Sequence, residues 1–277
     1  MTVDNRRVKY IVLLVVCLLI MMFGSVLVMP ILLRPLMLMN GYSRETIATA
    51  LGALQNYFSD KPYNETQTWH EFAVEFFGAN SELFANIKTF FCAIQFFSYI
   101  PLLIVIIIFL RKECVEDFIS FKKNIKKNLL WVLIGIGFMY ASIIIINVIY
   151  NIIGITGESN NESIIGLLLD SPGVVLMVIS VVLLAPITEE IIFRKLLFGT
   201  AEITFKFPPV VAIIFSCLVF SFIHVTDLES LKYIFQYIAL ALPICVVYHY
   251  SGNNIYVTII MHIINNLISV IATLIQL

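Results

Sequence analysis

Ionisable side chains stand where apolar ones are expected. Three short groups, Glu189-Glu190-x-x-x-Arg194, Phe220-x-x-x-His224 and His262-x-x-x-Asn266, each lie inside an apolar stretch of the kind that enters a bilayer. A charged side chain near the centre of a membrane helix costs about 2.5–3.5 kcal/mol on insertion scales, so such residues mark function by default. In a helix, residues four apart share a face and adjacent residues diverge by about 100°. Glu190 and Arg194 are therefore placed to form an ion pair, which makes burial of both tolerable. Glu189 points elsewhere, with its carboxylate available. Pro186, three residues earlier, removes a backbone hydrogen bond and predicts a kink or widened turn beside that carboxylate.

His224 follows Phe220 by one turn. His262 and Asn266 share a face and can direct two polar groups at one point, which suits an oxyanion or a metal ligand with its orienting neighbour. A glutamate and a histidine activate water directly, as general bases, or by holding zinc. Both routes end in hydrolysis of a carbonyl substrate.

The segments Glu189-Glu190-Ile191-Ile192-Phe193-Arg194, Phe220-Ser221-Phe222-Ile223-His224 and His262-Ile263-Ile264-Asn265-Asn266 resemble the three motifs of the CAAX protease and bacteriocin-processing family, also called CPBP or Abi. Ala185-Pro186 and Lys195-Leu196-Leu197-Phe198 resemble that family's surroundings of its first motif, where glycine is commoner at position 195. The resemblance covers about residues 173–270 and none of the first 170. It implies an intramembrane endopeptidase in which Glu189 and His224 activate water. It implies that His262 and Asn266 shape the oxyanion site or assist a metal, and that Glu190, Arg194 and Phe220 hold the site in place. The family is usually classed as a metalloprotease, and a metal-free glutamate mechanism is also argued for it. If zinc is used, its ligands would be Glu189, His224 and His262.

The elements that must position these groups follow from composition. The chain has 277 residues, 60% hydrophobic and 13% charged, against about 45–50% and about 25% in a soluble domain. An all-α, multi-pass membrane helix bundle is expected. Nucleic-acid binding is not, because no soluble basic domain is present to carry it. A membrane-crossing helix needs about 20 apolar residues. Seven stretches meet that need: 10–30, 89–110, 129–153, 173–198, 209–227, 231–250 and 255–276. The first is read as a retained span, since its apolar run is longer than that of a signal peptide. Residues 1–170 then form an N-terminal membrane region of three spans, and 171–277 a catalytic core of four.

Most of the Lys and Arg residues lie in three groups: Arg6, Arg7 and Lys9; the basic loop 111–128; and Arg194, Lys195 and Lys206. The positive-inside rule puts all three on the cytoplasmic side together with the N-terminus. The loop 111–128, with Phe118 and Phe121 among its lysines, is expected to rest on anionic headgroups. The outer segment 41–84 holds an amphipathic stretch from Arg44 to Phe58 and is expected to be a lid, a protein-partner surface or an interfacial helix pair. One conflict arises from these boundaries. Glu189 lies about nine residues, and His224 about fifteen, from the cytoplasmic ends of their helices, a mismatch in depth of about 9 Å.

The reading these features favour is an intramembrane endopeptidase in a bacterial plasma membrane, acting on a peptide, a bacteriocin precursor or a membrane-anchored protein. The alternatives are a catalytically idle scaffold or bacteriocin-immunity protein of the same fold, and a transporter. The unpaired Glu189 argues against idleness, and the lack of an inverted repeat argues against transport. His70-Glu71 begins an HExxH pattern that fails at Val74. Four of the five cysteines lie in apolar spans, so no disulfide framework is expected.

Overall fold

The computed structural model describes residues 3–39, 41–157, 159–225, 228 and 230–276. They form an all-α bundle, with no strand among the described residues. Its helices are α1 (Val3–Met39), α2 (Arg44–Gln55), α3 (Trp69–Ala79), α4 (Ser81–Lys123), α5 (Ile125–Ile153), α6 (Asn160–Leu169), α7 (Val174–Ile203), α8 (Pro209–Ile223), α9 (Ile234–Tyr250) and α10 (Ile255–Gln276). Six of these, α1, α4, α5, α7, α9 with its leading turn, and α10, are long and apolar enough to cross a membrane. The fifth expected span, α8, has only 15 residues. It rises about 22 Å, less than the roughly 30 Å hydrocarbon core, so it ends inside the bundle.

The local structure departs from expectation at 111–128 and after the third span, and it gives the helix pair expected in 41–84. The basic stretch 111–128 is not a loop: α4 runs through it to Lys123, and Asn124 makes the only break before α5. Ser120 O accepts from both the backbone and the side chain of Asn124, and the Asn128 side chain donates to Phe121 O near the end of α4. The segment 41–84 is a helix pair, α2 and α3, followed by the start of α4. Ser43 caps α2, and Thr68 with Glu71 forms a reciprocal capping box on α3. A further helix, α6, follows the third span, and its N-cap is Ser159. All five cysteines are unpaired thiols.

The main core gathers around α7. Every residue from Ile191 to Phe198 is buried, packed among Tyr10, Leu13 and Cys17 of α1, Leu102 and Ile106 of α4, Cys217 and Phe220 of α8, and Cys245 of α9. A helix covered on all sides is the central member of its bundle. A second core joins Ile47, Ala50 and Leu54 of α2 to Phe77 of α3 and Ile87 of α4.

Candidate active site

Helix α7 does not follow one register. It widens into π-turns at Ser180–Leu184 and Ile191–Phe198, on either side of the glutamate pair. Pro186 gives the first a local reason. Ala185 N–H donates five residues back to Ser180 O, and the next donor in that register would be the N–H that Pro186 lacks. The acceptor left over is Val181 O. Asn266 Nδ2 of α10 supplies the bond instead, at 2.9 Å. In the second π-turn, Ser216 Oγ of α8 donates to Phe193 O at 2.8 Å. Interruptions of this kind inside α-helices recur at functional sites.

Helix α7 also runs on past residue 198 to Ile203, and this resolves the depth conflict. Fourteen residues separate Glu189 from Ile203, and fifteen separate Pro209 from His224. Both side chains therefore sit about 21–23 Å from the same end of the bundle. Their carboxylate and imidazole come together, with Glu189 Oε2 4.0 Å from His224 Nε2. The same oxygen lies 3.9 Å from His262 Nε2. Such separations exceed a direct hydrogen bond and match the span of one bridging water.

Each histidine is held through its other nitrogen. His224 Nδ1 lies 2.8 Å from Phe220 O, an acceptor, so that nitrogen carries a proton and Nε2 is the atom turned to Glu189. His262 Nδ1 lies 3.0 Å from Glu190 Oε1. Glu190 is fully buried, and its other oxygen is 3.1 Å from Arg194 Nε, also fully buried. This is a contact ion pair rather than an aligned hydrogen bond, since neither atom meets hydrogen-bond geometry. The Arg194 guanidinium lies over the Phe220 ring, 5.0 Å from its centroid. Phe220 thus touches Arg194, His224 and His262 together.

Glu189, Glu190, Arg194, Phe220, His224 and His262 therefore come together, and Asn266 reaches α7 through Val181 O, with two refinements to the expected roles. Glu190 does more than pair with Arg194, because it also fixes the ring of His262. Asn266 commits one amide hydrogen to Val181 O, and its Oδ1 accepts from Asn265 Nδ2 at 3.2 Å. Lys195 of the first motif reaches Asp117 of α4 at 2.6 Å. Sequence reasoning missed Tyr237 of α9, whose ring lies 5.1 Å from that of His224. It sits in an apolar run and carries no motif.

The donors do not fit zinc as they stand. Ligands around a tetrahedral zinc at about 2.0–2.2 Å lie roughly 3.4 Å apart. The separations here are 3.9 and 4.0 Å, and among the described residues no group of three His, Cys, Asp or Glu side chains is arranged to hold a metal.

A family model described as Type II CAAX prenyl endopeptidase Rce1-like matches residues 171–268. A Bacillus subtilis (strain 168) protein named "Putative membrane peptidase YdiL" is 30% identical over 183 residues, which are 64% of this chain and 70% of that protein. This chain belongs to the Rce1-like family. The matched Rce1-like region contains every residue of the site, from Glu189 to Asn266. The family and the apolar helices together make the chain a multi-pass membrane protein of the CAAX-protease type. No solved structure matches it.

Proposed function

We propose that this Rce1-like protein is an intramembrane endopeptidase that hydrolyses a peptide or a membrane-anchored protein with water activated by Glu189 and the two histidines. One observation carries the reading. Two imidazole Nε2 atoms from separate helices face the same Glu189 oxygen, at 4.0 and 3.9 Å, and each Nδ1 is bonded elsewhere. Water hydrogen-bonded to Glu189 Oε2 loses its proton to the carboxylate as its oxygen attacks the scissile carbonyl. His224 Nε2 takes part in the transfer and returns a proton to the leaving amine. His262, when it carries its second proton, balances the charges of Glu189 and Glu190 together with Arg194. Its Nε2–H then donates to the oxyanion. Asn266 supports this site through its bond to Val181 O, in the irregular turn before Glu189.

The reading is tested by comparing peptides released from membranes of wild-type and Glu189→Gln cells. Peptides that disappear in the variant, at unchanged protein abundance, are the expected result. Identical peptide sets would remove Glu189 as the base.

We place the protein in a bacterial plasma membrane with the N-terminus and the Lys-rich end of α4 in the cytoplasm, because that end collects the basic groups. The site would then take substrate from the cytoplasmic or inner-leaflet side. In a background without the native cysteines, a thiol probe should reach a cysteine at position 118 only after permeabilisation, and one at position 60 in intact cells. The reverse pattern would invert the orientation.

A further inference from the structure

His224 is the C-cap of α8, one residue past Ile223, where no further helical turn holds its backbone. Its imidazole packs against two rings. Phe220 is 4.4 Å away and Tyr237 of α9 is 5.1 Å away, each inclined 33° to it. Tyr237 is itself buried. Its hydroxyl is hydrogen-bonded to Ser159 Oγ at 2.7 Å, and Ser159 is completely buried as the N-cap of α6. The same part of the fold is tied twice more, by Tyr233 OH to Thr156 O and by Tyr150 OH to Lys232 O. The short α8–α9 hairpin is thus fastened at its tip to the α5–α6 connection.

We propose that Tyr237 is a positioning residue for catalysis: anchored by Ser159, its ring fixes the plane of the His224 imidazole so that Nε2 faces Glu189. The Nδ1–H bond to Phe220 O selects the tautomer but leaves the ring able to tilt about that bond. A second aromatic face restricts the tilt. Proton transfer demands this restriction, because misplacement of about 1 Å can cost on the order of 100-fold in rate. The proposal rests on the protease reading for its kinetic consequence and not for its structural one, so the test has two arms.

The first arm needs no substrate. Full-length protein with nitrogen-15-labelled histidine, in lipid nanodiscs, gives imidazole signals from four histidines, and that of His224 is assigned by its loss in His224→Gln. Wild type should show a single Nδ1–H tautomer. Tyr237→Ala should broaden and shift the His224 signals, as the freed ring tilts and strains its Nδ1–H bond to Phe220 O, and leave those of His70 and His249 unchanged. The second arm uses a fluorogenic peptide spanning a cleavage site whose release requires Glu189. Tyr237→Ala should lower kcat about tenfold with KM within about twofold, the mark of lost alignment rather than lost binding. Tyr237→Phe and Ser159→Ala should each lower kcat about threefold, and the double variant no further, because the Tyr237–Ser159 bond is lost only once; the α6 cap to Glu162 N–H that Ser159→Ala also loses is read separately, as a lower melting temperature. If Tyr237→Ala does not fold, these two variants decide the matter by the same readouts. An unchanged His224 spectrum in folded Tyr237→Ala, or in both milder variants, overturns the proposal. If no Glu189-dependent peptide exists, the protease reading fails while the spectroscopic arm still tests the clamp.

Discussion

Helices α5 and α7 are alike in length and nearly so in hydropathy, yet they are built for opposite surroundings. Half of the apolar window of α7 is buried inside the protein, against 17% of that of α5. Helix α5 carries its charged residues, Lys126 and Lys127, only at one end. Its exposed side chains, such as Ile144, Ile145 and Ile152, suit contact with lipid. Helix α7 carries Glu189, Glu190, Arg194 and Lys195 near its middle, and each meets a protein partner: His224 and His262, His262 again, Phe220, and Asp117. The comparison teaches that charge in this bundle is tolerated through neighbours rather than through a lower apolar content. The polar site lies where helices surround helices.

Three substitutions would break or sharpen that contrast. The largest stability effect belongs to Glu190→Ala. It leaves the fully buried Arg194 without its counter-charge and should cost roughly 3–5 kcal/mol, seen as a fall in detergent melting temperature. It also releases His262, so surviving folded protein should have low activity. Glu190→Ala protein that melts like wild type would show that Arg194 does not depend on this pair. Next comes Asn266→Ala, which strips Val181 O of its donor and should cost about 1–3 kcal/mol. The cost should shrink in a Pro186→Ala background, where residue 186 regains an N–H for that carbonyl. Equal costs in both backgrounds would separate the asparagine from the π-turn. The smallest effect is expected from Ile144→Ala in α5, whose side chain is 61% exposed. It should change stability by no more than about 0.5 kcal/mol, and a loss several times larger would mean that α5 packs against another protein surface.

Some of this was legible in the sequence because it is local. The spacing of four between Glu190 and Arg194, and between Phe220 and His224, sets shared helix faces before any fold is known. Apolar runs marked the membrane helices, and Pro186 marked the irregular turn beside Glu189. What depends on tertiary approach was not legible. Glu190 meets His262 across 72 positions, and Asn266 meets Val181 across 85, with no periodicity to announce either. Tyr237 could not be told from any aromatic in an apolar helix. The span boundaries misjudged depth because α7 runs on to Ile203, and hydropathy falls before the helix does. The charge of 111–128 suggests a loop, yet lysine and arginine are good helix formers, and α4 runs on to Lys123.

The claim at the centre of the account is that Glu189 activates water inside the membrane. The purified full-length protein, reconstituted in lipid with a mapped peptide in oxygen-18 water, tests this directly. The account predicts one heavy oxygen in the new C-terminal carboxylate of the product from wild type, and no product above background from Glu189→Gln of equal thermal stability. Cleavage by Glu189→Gln at the wild-type rate, or wild-type product without the label, would contradict it.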